Sequence, residues 1–427
     1  MKILMVNKFL YPNGGSETYI FKLGEQLQIM GHRIQYFGME HEGRIVGNHV
    51  ESYTSDLDFH GGGIRKFLYP FKIIYSVEAR KKIRLVLEDF APDVVHLNNI
   101  NFQLTPSVIY EIRAYEKKRR KRVRIVYTAH DYQWVCPNHM MRVPSTGEIC
   151  FACRGGDYKQ CSIKRCIHNS RIKSLLGTME AKYYAKRKTY DLVDVIVCPS
   201  EFMKKQLDTD PLLAGKTVMM HNFIEAQGEQ RERMEAEDEA KNEHNTDFIP
   251  AKGSEVTRNG KDYVVYFGRF SEEKGTATLL KACRALPGIP FVFAGTGPLE
   301  SLVNRVPNVE NRGFLQGEEL RRLIAGARFS VYPSEWYENC PFSVMESQVY
   351  GTPVLASDLG GAPELVQAGK TGDLFRGGDV QELTDHIRAL WEEPALCREY
   401  SENCKNIKFD TIREYCDKIV KNVYART

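Results

Sequence analysis

At 427 residues, with 42% hydrophobic and 27% charged residues, the chain has the composition of a globular protein of two or three domains. It has no run of 18 apolar residues, so no membrane-spanning helix is expected. Its net charge of +4 points to no strongly acidic or basic partner class.

In chain order, "KILMV" and "HRIQYFG" read as buried strands on either side of the helix "SETYIFKLGEQLQIMG", which has helical apolar spacing and closes on Gly31. The apolar run before Asn7 is too short for a signal-peptide core, so the expected compartment is the cytoplasm. "PDVVHLNN", "VRIVYTAHD", "VDVIVCPS" and "KTVMMHNF" continue as short apolar strands with polar ends. A second series starts at "DYVVYFGRF" and runs through "IPFVFAGTGP", "FSVYPS" and "TPVLASDLGG", with helical patterns such as "ATLLKACRAL" and "GEELRRLIAGA" between strands. Alternating strands and helices predict an α/β protein with two parallel sheets, each in a Rossmann-like domain. Ligands of such sheets bind beyond the carboxyl ends of strands.

The predicted divisions are an N-terminal domain over 1–224, a charged linker or insertion over 225–262, a second domain over 263–405 and a terminal helix over 406–427. The linker is nearly half charged and poor in apolar residues. Five of the eleven cysteines fall within an insertion at 136–166. Cys150 and Cys153 form a knuckle-like pair, and Cys136, Cys161 and Cys166 supply further thiols. In a cytoplasmic chain this pattern reads as a structural zinc site rather than a disulfide set. An iron–sulfur cluster or unliganded thiols are the alternatives. The block has too few apolar residues to bury a core of its own. Two basic features, the run Lys117–Arg122 and the helix "RIKSLLGTMEAKYYAKRKTY", suit an anionic membrane surface.

In "GRFSEEKGTATLL", Arg269 lies just past a strand and Lys274-Gly275 just before a helix, a placement that suits a diphosphate. Gly295 and Gly297 in "FAGTGP" would allow the backbone to approach a ligand closely. "YENCPFSVMES" sets Glu338 before a helix start and Glu346 just after it. Ser343 and Glu346 have capping-box spacing. The alternative uses the amides of Phe342, Ser343 and Val344 to face an anion, with the two carboxylates accepting from sugar hydroxyls.

"ENCPFSVMESQVYGTPVLASDLGGAPELV" resembles the paired-glutamate region of the family 4 glycosyltransferases. "YFGRFSEEKGTATLL", "FAGTGP", "HNFI" and "YPNGGSETYIFKLGEQL" resemble its other blocks, so only residues 225–262 fall outside the likeness. The resemblance implies a GT-B fold, two Rossmann-like domains facing across a cleft, with the terminal helix crossing back to the first. It also implies a retaining, hexosyltransferase-like transfer from a UDP- or GDP-linked sugar to a glycan or lipid-linked acceptor of a surface polysaccharide, without a catalytic metal.

Carried over, Arg269 and Lys274 neutralise the diphosphate, Glu346 holds the ribose, and Glu338 with the backbone from Asn339 to Ser343 holds the donor sugar. Gly14-Gly15 let a loop approach the phosphates or the acceptor. His130 faces the sugar, its bland alternative being a histidine satisfied by Asp131. A similar cysteine block in capsule and O-antigen enzymes implies Cys136, Cys150, Cys153 and Cys166 as zinc ligands, with Cys161 free. The chain departs from the family at His221-Asn222-Phe223-Ile224, which lacks the usual glycine after asparagine, and at Cys340-Pro341. Two other classes compete. A sugar-nucleotide epimerase would need no sugar acceptor. A zinc-dependent nucleic-acid binder would need aromatics within Lys117–Arg122, which has none, so no nucleic acid is expected.

Overall fold

The computed structural model describes residues 1–55, 74–224 and 262–425; the linker at 225–261 lies outside them. The chain divides into two compact units, one of Met1–Asn222 with Ile412–Thr427, the other of Phe223–Thr411.

The first unit holds strands β1 (Lys2–Val6), β2 (Arg33–Phe37), β3 (Val94–Leu97), β4 (Arg124–Thr128), β5 (Val195–Cys198) and β6 (Thr217–Met219). They form one parallel sheet in the order β2-β1-β3-β4-β5-β6. Its helices include α1 (Gly15–Ile29), α2 (Val77–Phe90), α3 (Ser107–Arg119), α4 (Lys159–Ile163) and α5 (Arg171–Lys186). Ile3, Leu4, Met5 and Val6 are all fully buried. Helices on both faces account for such unbroken apolar strands. Gly31, at φ +84°, follows the end of α1, where a left-handed residue stops a helix.

The second unit holds β7 (Val264–Phe267), β8 (Phe291–Ala294), β9 (Val309–Asn311), β10 (Phe329–Tyr332), β11 (Val354–Ser357) and β12 (Gly372–Phe375), in the order β12-β11-β10-β7-β8-β9, also parallel. Here α6 (Thr276–Ala285) follows β7, α7 (Gly317–Ala325) follows β9, α8 (Phe342–Val349) follows β10 and α9 (Val380–Glu392) follows β12.

The terminal helix α10 (Ile412–Ile419) belongs to the first unit. Tyr415 Oη lies 2.8 Å from Tyr19 Oη, and Tyr424 Oη lies 2.7 Å from His96 Nδ1. Among the described residues no helix is long and apolar enough to cross a membrane.

Each sheet reverses its winding between two neighbours, β1 and β3 in the first and β7 and β10 in the second. Crevices beyond the carboxyl ends of such pairs are where open α/β sheets take ligands.

Candidate functional site

In the second unit the loops after β7 and β10 meet at that crevice. Gly275 caps α6 at φ +70°, and a Cβ there would stand 1.7 Å from the carbonyl oxygen of Pro333, so only glycine fits. This contact places Lys274 against the β10 loop. Its Nζ donates to Glu338 Oε1, which also accepts from Trp336 Nε1 and, at 3.3 Å, from Ser334 Oγ. Lys274 Nζ also lies 5.6 Å from the centre of the Trp336 ring. The two residues assigned separately to diphosphate and sugar are thus already ion-paired. Arg269 is exposed on the same loop and has no ion pair among the described residues.

Glu338 is also held by its backbone, an arrangement the sequence reading missed. Its carbonyl accepts from Gly361 N at 2.7 Å. Gly360, at φ +66°, passes so close that a Cβ would stand 2.3 Å from the same carbonyl oxygen. The Gly-Gly of "GGAPELV" was the available signal.

Two expectations need correction here. The capping box does not form: α8 starts at Phe342 with Pro341 as cap, and no side chain caps it. Ser343 lies inside the helix, so the 343/346 spacing is shifted by two positions from a box. The Val344 amide already donates to Pro341 O at 3.2 Å, which leaves Phe342 and Ser343 as the amides of this start suited to an anion. Chain packing also calls for glycine at 295 and 297: added Cβ atoms would meet Gly268 O at 1.9 Å and Phe270 O at 2.4 Å. Asn339 and Glu346 are part-buried beside this helix start.

In the first unit, polar side chains gather beyond β1 and β3. Asn7 donates to Glu17 Oε1 at 2.9 Å and accepts from Asn99 N at 3.1 Å. Ser16 Oγ donates to Glu17 Oε1 and accepts from Asn99 Nδ2, both at 2.9 Å. Sequence reasoning gave none of these residues a role in a site, although "NN" at a strand end marked the place. Gly14 and Gly15 are exposed at the start of α1. Gly14 is extended, and a Cβ there would meet only Glu17 Oε2, at 3.6 Å, so packing does not require glycine.

His130 pairs with Asn98, not with Asp131: its Nε2 lies 2.9 Å from Asn98 Oδ1. Burial pushes its pKa down to about 4, with Asp131 pulling the other way. The imidazole is therefore neutral near pH 7. Asp131 instead pairs with His139, Oδ2 to Nδ1 at 3.0 Å.

The cysteine insertion also differs from expectation. It does bury a small core: Cys153, Tyr158, Cys161 and Cys166, with Ile167, Ala181 and Ala185 packed on them. Trp134 is sandwiched between Tyr127 and Tyr190, at 3.9 and 4.1 Å. All five thiols, including Cys161, line one recess. A hydrogen bond between Cys161 and Cys166 pushes the Cys161 thiol up and holds the Cys166 thiol down, while burial raises Cys136 and Cys153. No disulfide forms. As the side chains stand, no three His, Cys, Asp or Glu among the described residues converge tightly enough to share an ion. The donor set, five soft sulfurs around one recess, still matches what zinc takes.

Family models match both halves of the chain. One described as Glycosyltransferase Family 4 covers residues 13–227, and one described as Glycosyl transferases group 1 covers residues 247–407. A 41.2 kDa protein from the cps region of Klebsiella pneumoniae, of no stated activity, is 22% identical over 76% of this chain and 77% of its own length. The sulfoquinovosyl transferase of Arabidopsis thaliana is 37% identical over 30% of this chain, which spans only 26% of that relative. A Salmonella typhimurium protein provisionally named a colanic acid biosynthesis glycosyltransferase is 30% identical over 29% of this chain and 34% of its own. Among solved structures, Anabaena HepE in complex with UDP aligns at a TM-score of 0.62 and 16% identity, over 99% of this chain and 100% of its own. Sucrose-phosphate synthase from Thermosynechococcus elongatus aligns at 0.65 and 17%, over 100% of both. At such identities the likeness is one of fold.

Proposed function

Since the chain belongs to the family 4 glycosyltransferases and has the GT-B fold, we propose that it moves a sugar from a UDP- or GDP-linked donor to a glycan or lipid-linked acceptor of a surface polysaccharide, with retention at the anomeric carbon. The observation that carries this reading is the Lys274–Glu338 pair set beside Arg269 and the start of α8 at the β7/β10 crevice. A departing diphosphate needs preorganised positive charge. Arg269, Lys274 and the amides of Phe342 and Ser343 supply it without a catalytic metal. Glu338 turns to a hydroxyl of the donor sugar as the diphosphate takes its place on Lys274. Glu346 accepts from the ribose diol. Within the first unit, neutral His130, steadied by Asn98, is the group suited to accept from a sugar hydroxyl. The C1–O bond breaks with its electron pair passing to the diphosphate, and the acceptor oxygen bonds to C1 on the same face as its proton passes to the departing diphosphate oxygen.

The binding of UDP in the Anabaena neighbour supports a nucleotide donor. The cps and colanic acid relatives support a polysaccharide product. A lipid-linked acceptor puts the enzyme at the cytoplasmic face of a membrane. A structural zinc on Cys136, Cys150, Cys153 and Cys166 completes the proposal. It would order the insertion that carries His139 to Asp131, because metal binding to such loops supplies folding energy.

Glu346→Gln tests the nucleotide assignment. With no cap to lose, the variant should melt like the wild type and bind UDP or GDP about tenfold more weakly, one shared hydrogen bond to a charged group being worth about 1.5 kcal/mol. Equal affinity for both nucleotides would remove Glu346 from the site.

A further inference from the structure

Exposed large apolar side chains concentrate on one short stretch of the first unit. Ile172, Leu175 and Met179 of α5 are 74%, 52% and 49% exposed, and Ile163, ending α4, is 66% exposed. At about 100° per residue, positions 172, 175 and 179 fall within a narrow arc of the helix, and Lys182 and Lys186 continue the same row. The opposite side of α5 faces the protein. Ser174 and Thr178 are buried, Thr178 Oγ1 bonding Ser162 Oγ at 2.8 Å and Tyr158 O at 3.0 Å.

The charges on this helix are sorted. Glu180 is its one acid, and the Glu180 Oε1 atom is shut off from solvent. Arg171, Lys173, Lys182 and Lys186 are exposed, and among the described residues none has an ion pair. The run Lys117–Arg122 is different. Lys118 pairs with Glu88 at 2.8 Å, Lys121 with Asp93 at 2.8 Å, and Arg122 with Glu116 and Asp194 at 3.0 and 2.6 Å. Half of that run is already neutralised by its own fold.

We propose that the outer face of α4–α5, and not the run at 117–122, is a docking surface for an anionic lipid bilayer. This deepens the reading above and rests on its lipid-linked acceptor. Aliphatic side chains ringed by unpaired Lys and Arg are the pattern of a helix lying in the lipid interface, the cations meeting headgroup phosphates while the apolar row enters the acyl boundary. A protein partner fits less well, because lysine is depleted from protein–protein interfaces and aromatic anchors dominate them. This row has lysines at its end and no aromatic among its apolar members.

Vesicle flotation tests the surface with the full chain. Wild type should float with vesicles of phosphatidylcholine and phosphatidylglycerol and stay down with phosphatidylcholine alone. The triple variant Ile172→Gln, Leu175→Gln, Met179→Gln should lose at least about tenfold in vesicle affinity, as should Lys182→Gln with Lys186→Gln. Both should keep wild-type calorimetric affinity for UDP or GDP, which shows that they fold. Lys117→Gln, Arg119→Gln, Arg120→Gln should float like the wild type. The inference is overturned if wild type ignores protein-free anionic vesicles, whether or not it binds membranes that retain their proteins, or if the triple variant floats unchanged. A chain that floats yet transfers no sugar keeps this surface and loses the enzymatic reading; one that transfers sugar and never floats does the reverse.

Discussion

Replacing Glu338 by glutamine separates two tasks that one carboxylate performs. In the ligand-free protein its Oε1 takes Lys274, Trp336 and Ser334 together, and the Lys274 and Glu338 side chains are 28% and 12% exposed. Glutamine keeps the size and an acceptor oxygen for the two neutral donors but loses the charge. Breaking a fully buried pair costs about 3–5 kcal/mol, and an exposed pair is worth about 0–1. Between those limits, a loss of about 1–2 kcal/mol of stability is expected.

Nucleoside diphosphate affinity should move the other way. A phosphate on the far side of Lys274 would stand roughly 6–7 Å from the carboxylate, and unit charges so placed repel by about 2.5 kcal/mol at an effective dielectric of about 20. Physiological salt, with a screening length of about 8 Å, removes about half. The remainder corresponds to UDP or GDP binding about five- to tenfold more tightly. Turnover of the complete donor should instead fall about 10²-fold, because the sugar loses a charged acceptor. Calorimetry with the nucleotides, initial rates with a panel of donor sugars and denaturant unfolding measure the three quantities. A variant that binds both nucleotides more weakly at unchanged stability would refute the reasoning, since Glu338 would not then be the counter-ion that Lys274 gives up.

Arg269→Ala and Lys274→Ala should each cut turnover by about 10²- to 10³-fold while the fold survives; near wild-type rates in both would mean the diphosphate binds elsewhere. The purified chain should contain about one zinc per molecule, lost on changing Cys136, Cys150, Cys153 or Cys166 to serine and kept in Cys161→Ser; elemental analysis showing loss from Cys161→Ser alone would move the fourth ligand to the thiol that shares the recess. Burial pushes the Glu180 carboxyl up to about 7, with His139 pulling it down. Its contribution to stability is full below its ordinary value of 4.5 and lost as pH rises through about 7. Glu180→Gln should therefore be nearly neutral at pH 5 and stabilising by about 1–2 kcal/mol at pH 8, discounted because the residue is only partly buried; parallel unfolding curves at the two pH values would sink that account.

The strands the sequence shows clearly are those covered on both faces. Val264–Phe267, Phe291–Ala294 and Val354–Ser357 read as unbroken apolar runs because a parallel sheet buries both sides. The reading passed over β9 and β12, the two edges of the second sheet. β9 is three residues with a charge at its centre, and β12 begins Gly-Asp. An edge strand is partly exposed, so its side chains need not alternate or run apolar, and its place comes from its neighbour's hydrogen bonds.

Residue types and local spacing alone marked Arg269, Lys274, Glu338 and Glu346, because cations and carboxylates at strand-to-helix turns are a chemical signal wherever the chain runs. They also marked five cysteines as one group. The tertiary structure decided which of these groups meet. Placing β7 beside β10 brings Lys274 to Glu338, 64 residues away in the chain, and placing β1 beside β3 brings Asn7 to Asn99. The same level settled that Ser343 lies inside its helix and caps nothing, that Gly295 and Gly297 answer to neighbouring carbonyls, and that three of six consecutive cations are already paired. Periodicity records which face of an element is buried. Strand order and loop approach depend on long-range packing, which no local window of the chain contains.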